Sequence, residues 1–362
     1  MIEISTISQI VRNKSSRARI LVLPRLSSWF PGDEAPSRAV IPANELVERV
    51  RRRGQKRSMN QRLLFIAASL LSLSACAGAE QAPQHPQLAV PHDRPLTLTS
   101  WNLEFLAERN GDGCQPRTDA DYAAMRQIAD GLDADVIAFQ EAESVAAAER
   151  VFDPARYAIV MEERAGAPSG TCGGEHKSQR VIRQAVGFAI RKTIAFDRHA
   201  DVTSLMLGNP QLRSGVDITL RPAGARPLRL LSIHLKSGCF AGDTAKACPI
   251  LAEQVPALEA WIDAAAEAPV RFAVLGDWNR RLGLEGDRVW SEIDDGTPAN
   301  ADLRLADAGT RPKCDPRYDS FIDHIVLDRR AGADMLSFAE TLYGKDVKHY
   351  SDHCPVSVSL AR

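Results

Sequence analysis

The stretch Phe272–Asn279, FAVLGDWN, decides the fold class, because a continuous apolar run ends abruptly in an acid and an amide. The run Phe272–Leu275 predicts a buried strand. Asp277 and Asn279 follow it directly. A carboxylate at the end of a buried strand lies in the cleft above the sheet, so the stretch predicts a sheet whose strand ends form a functional site.

Polar clusters recur at other strand ends, and this repetition carries more weight than any single cluster. Each one alone is compatible with a structural role such as capping a turn or starting a helix. The same arrangement at several strand ends is far less expected by accident. The clusters are Trp101-Asn102-Leu103-Glu104, Phe139-Gln140-Glu141, His234, Ile322-Asp323-His324 and Ser351-Asp352-His353-Cys354-Pro355.

The remaining pattern predicts one α/β domain from residue 96 to residue 362, without internal repeats. Apolar runs predict strands, and apolar residues at helical spacing predict two helices between them. The predicted strands are Leu96–Trp101, Val136–Phe139, Ala185–Ile190, Leu228–His234, Phe272–Leu275, Phe321–Leu327 and Val356–Leu360, and the predicted helices are Asp119–Leu132 and Leu251–Ala265.

So many acids at one end of the sheets predict a bound cation, because neighbouring carboxylates cannot all stay ionised without one. Hard oxygen ligands select Mg²⁺, Mn²⁺ or Ca²⁺. We expect Mg²⁺, with Mn²⁺ and Ca²⁺ as the other candidates.

The ordered series WNLE, FQE, HLKSG, GDWN, IDHI and SDHCPV resembles the endonuclease/exonuclease/phosphatase superfamily, which has the deoxyribonuclease-I-like fold. The resemblance extends from about Leu96 to Leu360. It implies an α+β fold, a four-layer α/β/β/α sandwich. It also implies divalent-metal-dependent cleavage of a phosphoester.

The resemblance implies a set of metal ligands and their neighbours. Glu141 matches the main metal-binding glutamate, and Asn102 matches the asparagine beside it. Asp352 matches an aspartate near the metal. Glu104 is a further candidate ligand.

The resemblance also implies catalytic roles. Asp277 matches the aspartate that positions the attacking water, and Asn279 the asparagine that holds the phosphate. Asp323 matches the carboxylate that orients His353. His234 matches the central histidine that protonates the leaving oxygen.

The carboxylate that supports the central histidine in this superfamily has no assigned position. Glu162, Glu163 and Glu175 are equal candidates. Histidine suits proton transfer near neutral pH, and a neighbouring carboxylate fixes its tautomer.

The substrate is only partly defined by the sequence. The net charge from Ala77 onward is −9, which argues against broad electrostatic capture of nucleic acid. A local basic rim of phosphate-binding residues remains compatible with that charge. We favour an exported nuclease or phosphodiesterase with a nucleic-acid substrate. The alternatives are an enzyme for phospholipids or inositol phosphates, and a catalytically inactive binding lipoprotein. The rim candidates are Arg280, Arg281, Lys236 and Arg183.

The N-terminal part has the opposite charge, +8 up to Cys76. The uncharged run Leu63–Ala75 is too short to span a membrane, which takes about 20 apolar residues, and fits a secretory signal. It ends in Leu73-Ser74-Ala75-Cys76, which resembles a bacterial lipobox with Cys76 as the lipidated residue. We predict a basic leader (1–58) that an internal start at Met59 would remove, a signal peptide (59–76) and a Pro-rich tether (77–95).

This arrangement predicts an exported protein, either a lipoprotein on the periplasmic side of a bacterial membrane or a secreted protein. The alternatives are a buried apolar helix and a basic arm of a cytoplasmic protein. No protein partner is implied.

Six cysteines follow Cys76, and an even number in an exported domain predicts disulfides. Cys239 and Cys248 flank a short Gly-containing segment and are the first candidates for a pair. A buried free thiol is the alternative for Cys354. The close spacings of a structural zinc site are missing.

Overall fold

The computed structural model describes residues 94–164, 170–344 and 348–362, which belong to one compact unit. The predicted leader, the signal with Cys76, and the tether up to residue 93 lie outside the described residues. Among the described residues, no helix is both long and apolar enough to cross a membrane. The strands are β1 (Leu96–Leu106), β2 (Val136–Ala142), β3 (Tyr157–Met161), β4 (Ala185–Arg191), β5 (Ala195–Arg198), β6 (Val216–Arg221), β7 (Leu228–His234), β8 (Arg271–Asp277), β9 (Arg304–Leu305), β10 (Asp323–Leu327), β11 (Met335–Glu340) and β12 (Val356–Leu360). The helices are α1 (Asp119–Leu132), α2 (Val145–Val151), α3 (Cys248–Glu267), α4 (Arg288–Ile293) and α5 (Arg329–Ala333).

The strands form two mixed six-stranded sheets. Their orders are β11-β12-β1-β2-β4-β3 and β5-β6-β7-β8-β10-β9. Each sheet has a parallel pair at its centre: β1 with β2, and β7 with β8. Strands that run parallel side by side present their carboxyl ends at the same edge, so the polar clusters of each pair meet.

One apolar core joins the two sheets. Alternate side chains of both sheets meet in it, among them Leu98 and Phe188 from the first sheet and Leu230 and Leu275 from the second. This alternation follows from the period of two along a strand. The interior between the sheets is therefore filled, and the functional groups are confined to the strand ends.

The outer faces of both sheets are covered by helices, which completes the four-layer sandwich. Helix α3 buries Leu251, Leu258 and Ile262 against the second sheet. Helix α1 packs Met125 against the first sheet. A capping box in which the Thr118 side chain accepts a hydrogen bond from the backbone of Asp121 fixes the start of α1. The predicted α/β/β/α architecture is confirmed.

Three disulfides connect loops of the domain: Cys114–Cys172, Cys239–Cys248 and Cys314–Cys354. The predicted Cys239–Cys248 pair agrees with the structure. Cys354 is not the free thiol that was the alternative for it. Three disulfides are typical of proteins in an oxidising compartment.

Candidate active site

Neighbouring strands of the second sheet bring three of the predicted residues together. His234 at the end of β7 is in register with Asp277 at the end of β8, and Asp277 is in register with Asp323 at the start of β10. Gly276 has a φ of +154°, and a Cβ there would lie 2.0 Å from the carbonyl oxygen of Ile233. Only glycine permits this close approach of β7 and β8 beside Asp277.

The first sheet contributes Asn102 from β1 and Glu141 from β2. The amide Nδ2 of Asn102 donates to Asp277 Oδ2 at 3.0 Å and to Glu141 Oε1 at 3.4 Å. Asn102 therefore links the two sheets at their functional edge. Together with His353, which lies before β12, these residues form a group that we call the cleft floor: Asn102, Glu141, His234, Asp277, Asn279, Asp323 and His353.

The backbone is unusual at several predicted site residues. Glu104, Glu141 and Asn279 have φ values of +44°, +64° and +51°, in the left-handed region that non-glycine residues rarely adopt. Such conformations concentrate at functional sites, where the surrounding structure holds them. At Glu141 the backbone N–H of Phe105 donates to Oε2 at 3.0 Å and keeps the carboxylate in place.

Asp277 lies at the centre of the floor and is 2% exposed. Burial and the nearby Asp323 carboxylate raise the pKa of Asp277 to about 7. The backbone N–H of Asn279 donates to its Oδ1 at 2.8 Å, and His234 Nε2 lies 3.4 Å from its Oδ2. A carboxyl group with this pKa is suited to accept a proton near neutral pH.

His353 is held by Asp323. The distance from His353 Nδ1 to Asp323 Oδ2 is 2.6 Å, and His353 Nε2 lies 3.9 Å from Asp277. Burial disfavours the charged imidazole, but the carboxylates of Asp323, Asp277 and Asp352 outweigh it and raise the pKa of His353 well above its usual range. His353 is therefore a cation at neutral pH, with its Nε2–H toward the cleft.

His234 has the opposite character. Burial and the positive charge of Arg213 lower the pKa of His234 well below its usual range. Its Nδ1 is buried and has no hydrogen-bond partner among the described residues. Glu162 does not support it, because that carboxylate accepts from Ser214 N and Oγ at 2.9 and 2.8 Å. His234 is therefore neutral at neutral pH.

The carboxylates of the cleft fit a divalent cation. Ligand atoms of Asp277, Asp323 and His353 lie within 4.8 Å of one another, but a protonated His353 has no lone pair for a metal, so the oxygen atoms of the neighbouring acids are the candidate ligands. The buried Asp323 Oδ1 has no hydrogen-bond partner among the described residues, and burial together with the Asp323 carboxylate raises the pKa of Asp277. A cation would compensate both. Cys314, Glu340 and Cys354 also lie within such distances, but the two cysteines are joined in a disulfide.

The two remaining predicted metal ligands lie at the margin of the floor. Asp352 is exposed, with Oδ1 3.6 Å from His353 Nε2. Glu104 Oε2 accepts from Gln115 Nε2 at 3.1 Å and from the backbone N–H of Asp352 at 2.9 Å. Burial and Asp352 raise the pKa of Glu104. Glu104 thus positions the backbone of Asp352.

The predicted basic rim divides into residues with different surroundings. Arg280 was predicted to lie on the rim and bind phosphate. It is instead 2% exposed and donates to Asp287 at 2.6 Å and to the carbonyl of Cys239 at 3.2 Å. Arg183 is half-buried and donates to the carbonyl of Glu162 at 2.7 Å. Lys236 is half-buried and donates to the carbonyl of Ser237. Arg281 lines the cleft.

The floor opens into a cavity of about 410 Å³, a volume in the range of ligand pockets. Its lining includes Glu141, His234, Asp277, Asp323 and His353. The structure thus brings the main predicted residues to one pocket.

Two functional neighbours were missed from the sequence. Ser351 Oγ donates to the carbonyl of Asn102 at 2.7 Å and accepts from His353 N at 3.1 Å, so it joins β1 to the segment before β12. Its place in the SDHCPV motif was the available signal. Arg213 shares the Leu235 carbonyl with the Asn279 amide, at 3.3 and 3.2 Å, and no motif points to it.

The fold and the site define a deoxyribonuclease-I-like α/β/β/α sandwich with an acid–histidine cleft. Among solved structures, a truncated TDP2 from Caenorhabditis elegans has a TM-score of 0.51 and 16% identity, covering 74% of this chain and 97% of its own. The human Nocturnin catalytic domain, solved with a bound sulfate anion, has a TM-score of 0.50 and 14% identity, covering 74% and 93%. No protein-family model matches the sequence, and no curated protein matches it.

Proposed function

We propose that this protein is a divalent-metal-dependent phosphoester hydrolase, and specifically an exported nuclease or phosphodiesterase. The observation that carries the proposal is the contact of Asn102 with both Asp277 and Glu141, which joins the strand ends of two sheets beside a cationic His353. Phosphoester hydrolysis needs a proton acceptor for the attacking water and hydrogen-bond donors for the phosphate. Asp277 can accept the proton, and His353 and Asn279 can donate to the phosphate.

The residues of the floor divide the chemistry between them. Asp277, a buried carboxylate at the centre of the floor, accepts a proton from the attacking water and orients it. The Nε2–H of His353 donates to a phosphate oxygen and stabilises the negative charge that develops there. Asn279 donates one amide N–H to the Leu235 carbonyl and has a second N–H for the phosphate. Neutral His234 donates a hydrogen bond to the leaving oxygen.

Glu141, Asn102 and Asp352 are the residues that would hold the metal, with Mg²⁺ as the preferred ion and Glu104 as support for Asp352. When bound, the ion supplies Lewis acidity toward the phosphate.

The proposed setting is the oxidising exterior of the cell. The three disulfides support it, and the apolar run that ends at Cys76 supports a lipid-anchored or secreted form. For an exported enzyme in that setting, nucleic acid or another phosphodiester is the substrate class that we favour.

The test is a metal-dependence assay of the purified protein. Plasmid DNA, RNA, sphingomyelin and inositol phosphates are offered in parallel, each with Mg²⁺, Mn²⁺ or Ca²⁺ and with a chelator. We expect cleavage of nucleic acid that the chelator abolishes. Asp277→Ala should lower kcat by about a hundredfold or more, the scale of a lost general base.

Asp197→Ala is the matched control, because Asp197 lies on the edge strand β5 in an ion pair with Arg221 and is half-exposed. It should retain full activity. Hydrolysis of no phosphoester with any of the three ions would refute the proposal in favour of a binding protein. Full activity of Asp277→Ala would refute the site.

A further inference from the structure

The cavity above the floor has one aromatic and basic side. Phe240, Arg281 and Tyr318 form it, and we call these three residues the aromatic wall. Phe240 is 38% exposed and Tyr318 is 43% exposed. Large aromatic side chains that stay exposed beside a binding pocket indicate a ligand that covers them.

The wall is stacked around a guanidinium group. Arg281 Cζ lies 4.0 Å from the ring centroid of Tyr318 and 5.5 Å from that of Phe240. Within the described part of the chain, the Arg281 guanidinium makes no hydrogen bond or ion pair with another side chain, and its Nε is buried without a partner. Its charge and its remaining N–H groups are therefore available to a ligand.

The loops that carry the wall are crosslinked close to the floor. The backbone N–H of Arg281 donates to the Phe240 carbonyl at 2.8 Å, and Phe240 follows directly on the Cys239–Cys248 disulfide. Tyr318 lies in the loop after Cys314, whose disulfide partner Cys354 is the neighbour of His353. The crosslinks restrict both loops before a ligand arrives, which reduces the entropy lost on binding.

We propose that the aromatic wall binds the base of an unpaired nucleotide next to the phosphate that is cleaved. This inference rests on the proposed function. Bases stack on exposed aromatic rings, and arginine adds a planar cation that stacks and donates hydrogen bonds. Only an unpaired base presents a free face, so the wall favours single-stranded nucleic acid or a splayed end over intact duplex.

The charge of the wall argues against a phosphocholine headgroup. A quaternary ammonium group binds to aromatic faces that lack another cation. Here the guanidinium of Arg281 already lies on the Tyr318 ring. Asp315 and Glu340, which also line the cavity, offer little compensation, because Asp315 pairs with Arg317 at 2.6 Å and Glu340 accepts from the backbone of Lys313 and Cys314.

The test compares two substrates that differ only in their bases. One is a single-stranded oligonucleotide, and the other has the same length with tetrahydrofuran abasic residues throughout. Sphingomyelin vesicles form a third arm. The variants are Phe240→Ala with Tyr318→Ala, Arg281→Ala, the conservative Tyr318→Phe, and Leu336→Ala as the control on an exposed hydrophobic residue of β11.

We expect the wild type to prefer the substrate with bases, measured as a ratio of kcat/KM values. The double alanine variant should reduce this ratio by about tenfold or more, the effect of losing base stacking. Arg281→Ala should reduce it less, and Tyr318→Phe and Leu336→Ala should preserve it.

Three results would overturn the inference. The wild type could cleave both oligonucleotides equally well, the double variant could keep the full preference, or sphingomyelin could be the preferred substrate and depend on the wall. In each of these cases metal-dependent hydrolysis persists. If the wild type cleaves none of these three substrates but cleaves plasmid DNA, RNA or inositol phosphates, the inference fails and the proposed function stands. If it cleaves no phosphoester at all, it is the proposed function that fails.

Discussion

The cleft floor and the aromatic wall lie in the same pocket but are built differently. The floor consists of short polar side chains at the ends of buried strands, held by register and by contacts such as Asn102 to Asp277. The wall consists of the exposed Phe240 and Tyr318 and the partly buried Arg281, on loops that two disulfides crosslink. In the function proposed above, the chemistry therefore depends on sheet register, whereas substrate selection by the proposed wall depends on crosslinked loops.

The adjacent residues Arg280 and Arg281 show the same difference between a buried structural contact and a side chain that faces the cavity. Arg280 turns inward, pairs with Asp287 and donates to the carbonyl of Cys239, so it anchors the loop that carries Phe240. Arg281 turns into the cavity and stacks on Tyr318. Two consecutive arginines thus differ in their surroundings: Arg280 is fully buried, whereas Arg281 is partly exposed and lines the cavity.

The largest effect in this comparison is expected from a change in the floor, Asp323→Asn. The variant loses the carboxylate that accepts from His353 Nδ1 at 2.6 Å, and we expect kcat to fall by about 10- to 100-fold, as for other groups that orient a functional histidine. The pKa of His353 should also fall. Because the proposed mechanism needs the protonated imidazole, the alkaline limb of the kcat–pH profile should move to lower pH.

Stability provides a second readout for the same variant. The pKa of His353 is raised in the folded protein, so its contribution to stability is complete below the unfolded pKa and is lost as pH rises through the folded pKa. Asp323→Asn should weaken this dependence in urea unfolding at pH values on both sides of neutrality. Asp319→Asn, which changes an exposed partner of Arg311, is the control. An unchanged pH profile of kcat would show that Asp323 does not tune His353.

The candidate residues of the floor could be located from the sequence because they adjoin apolar runs: His234 and Asp277 end β7 and β8, whereas Asp323 begins β10. The bounds of β7, β12 and α1 agree with the prediction. Strands β5 and β11 were missed because they lie at sheet edges. All of their residues are partly or fully exposed, so neither strand contains an apolar run.

Two further features could not be predicted because they depend on tertiary contacts. Strand β6 was missed because Asp217 interrupts its apolar pattern, although that carboxylate is buried and bonded to Arg229 and Trp261. The wall was missed because Phe240 and Tyr318 are far apart in the sequence and share no motif. Only the folded loops bring them to Arg281.

An intermediate effect is expected from removing the Cys314–Cys354 disulfide, which links the loop of Tyr318 to the neighbour of His353. The variant carries Cys314→Ser and Cys354→Ser together. The loop that carries Tyr318 then loses its link to the neighbour of His353, so KM for single-stranded substrate should rise several-fold, with a smaller change in kcat. Loss of the crosslink should also lower the free energy of unfolding by about 2–4 kcal/mol.

The matched control is Cys114→Ser with Cys172→Ser, because that disulfide is outside the lining of the cavity. We expect a comparable loss of stability with KM unchanged. Steady-state kinetics and urea unfolding on both double variants separate the two effects. Equal changes of KM in both would mean that the Cys314–Cys354 bond acts only through global stability.

The smallest effect is expected where the segment that carries His353 meets helix α1. Lys348 Nζ donates to Asp121 at 2.8 Å, and Lys348 is exposed. Partial burial opposes ionisation of Asp121, but hydrogen bonds from Lys348 and Thr118 lower its pKa to about 2. An exposed ion pair of this kind contributes about 0–1 kcal/mol, so Lys348→Ala should lower the free energy of unfolding by no more than that.

The difference in the free energy of unfolding between the wild type and Lys348→Ala should depend on pH. Because the pKa of Asp121 is depressed on folding, the stability it contributes is present above the unfolded pKa and is lost as pH falls toward about 2. Urea unfolding of the wild type and Lys348→Ala should therefore converge in acid. We expect kcat to stay unchanged, because Ser351 and Asp323 hold His353 directly. A marked loss of kcat in Lys348→Ala would instead show that the Lys348–Asp121 ion pair is needed to position His353. The floor would then depend on its loops, as the wall does.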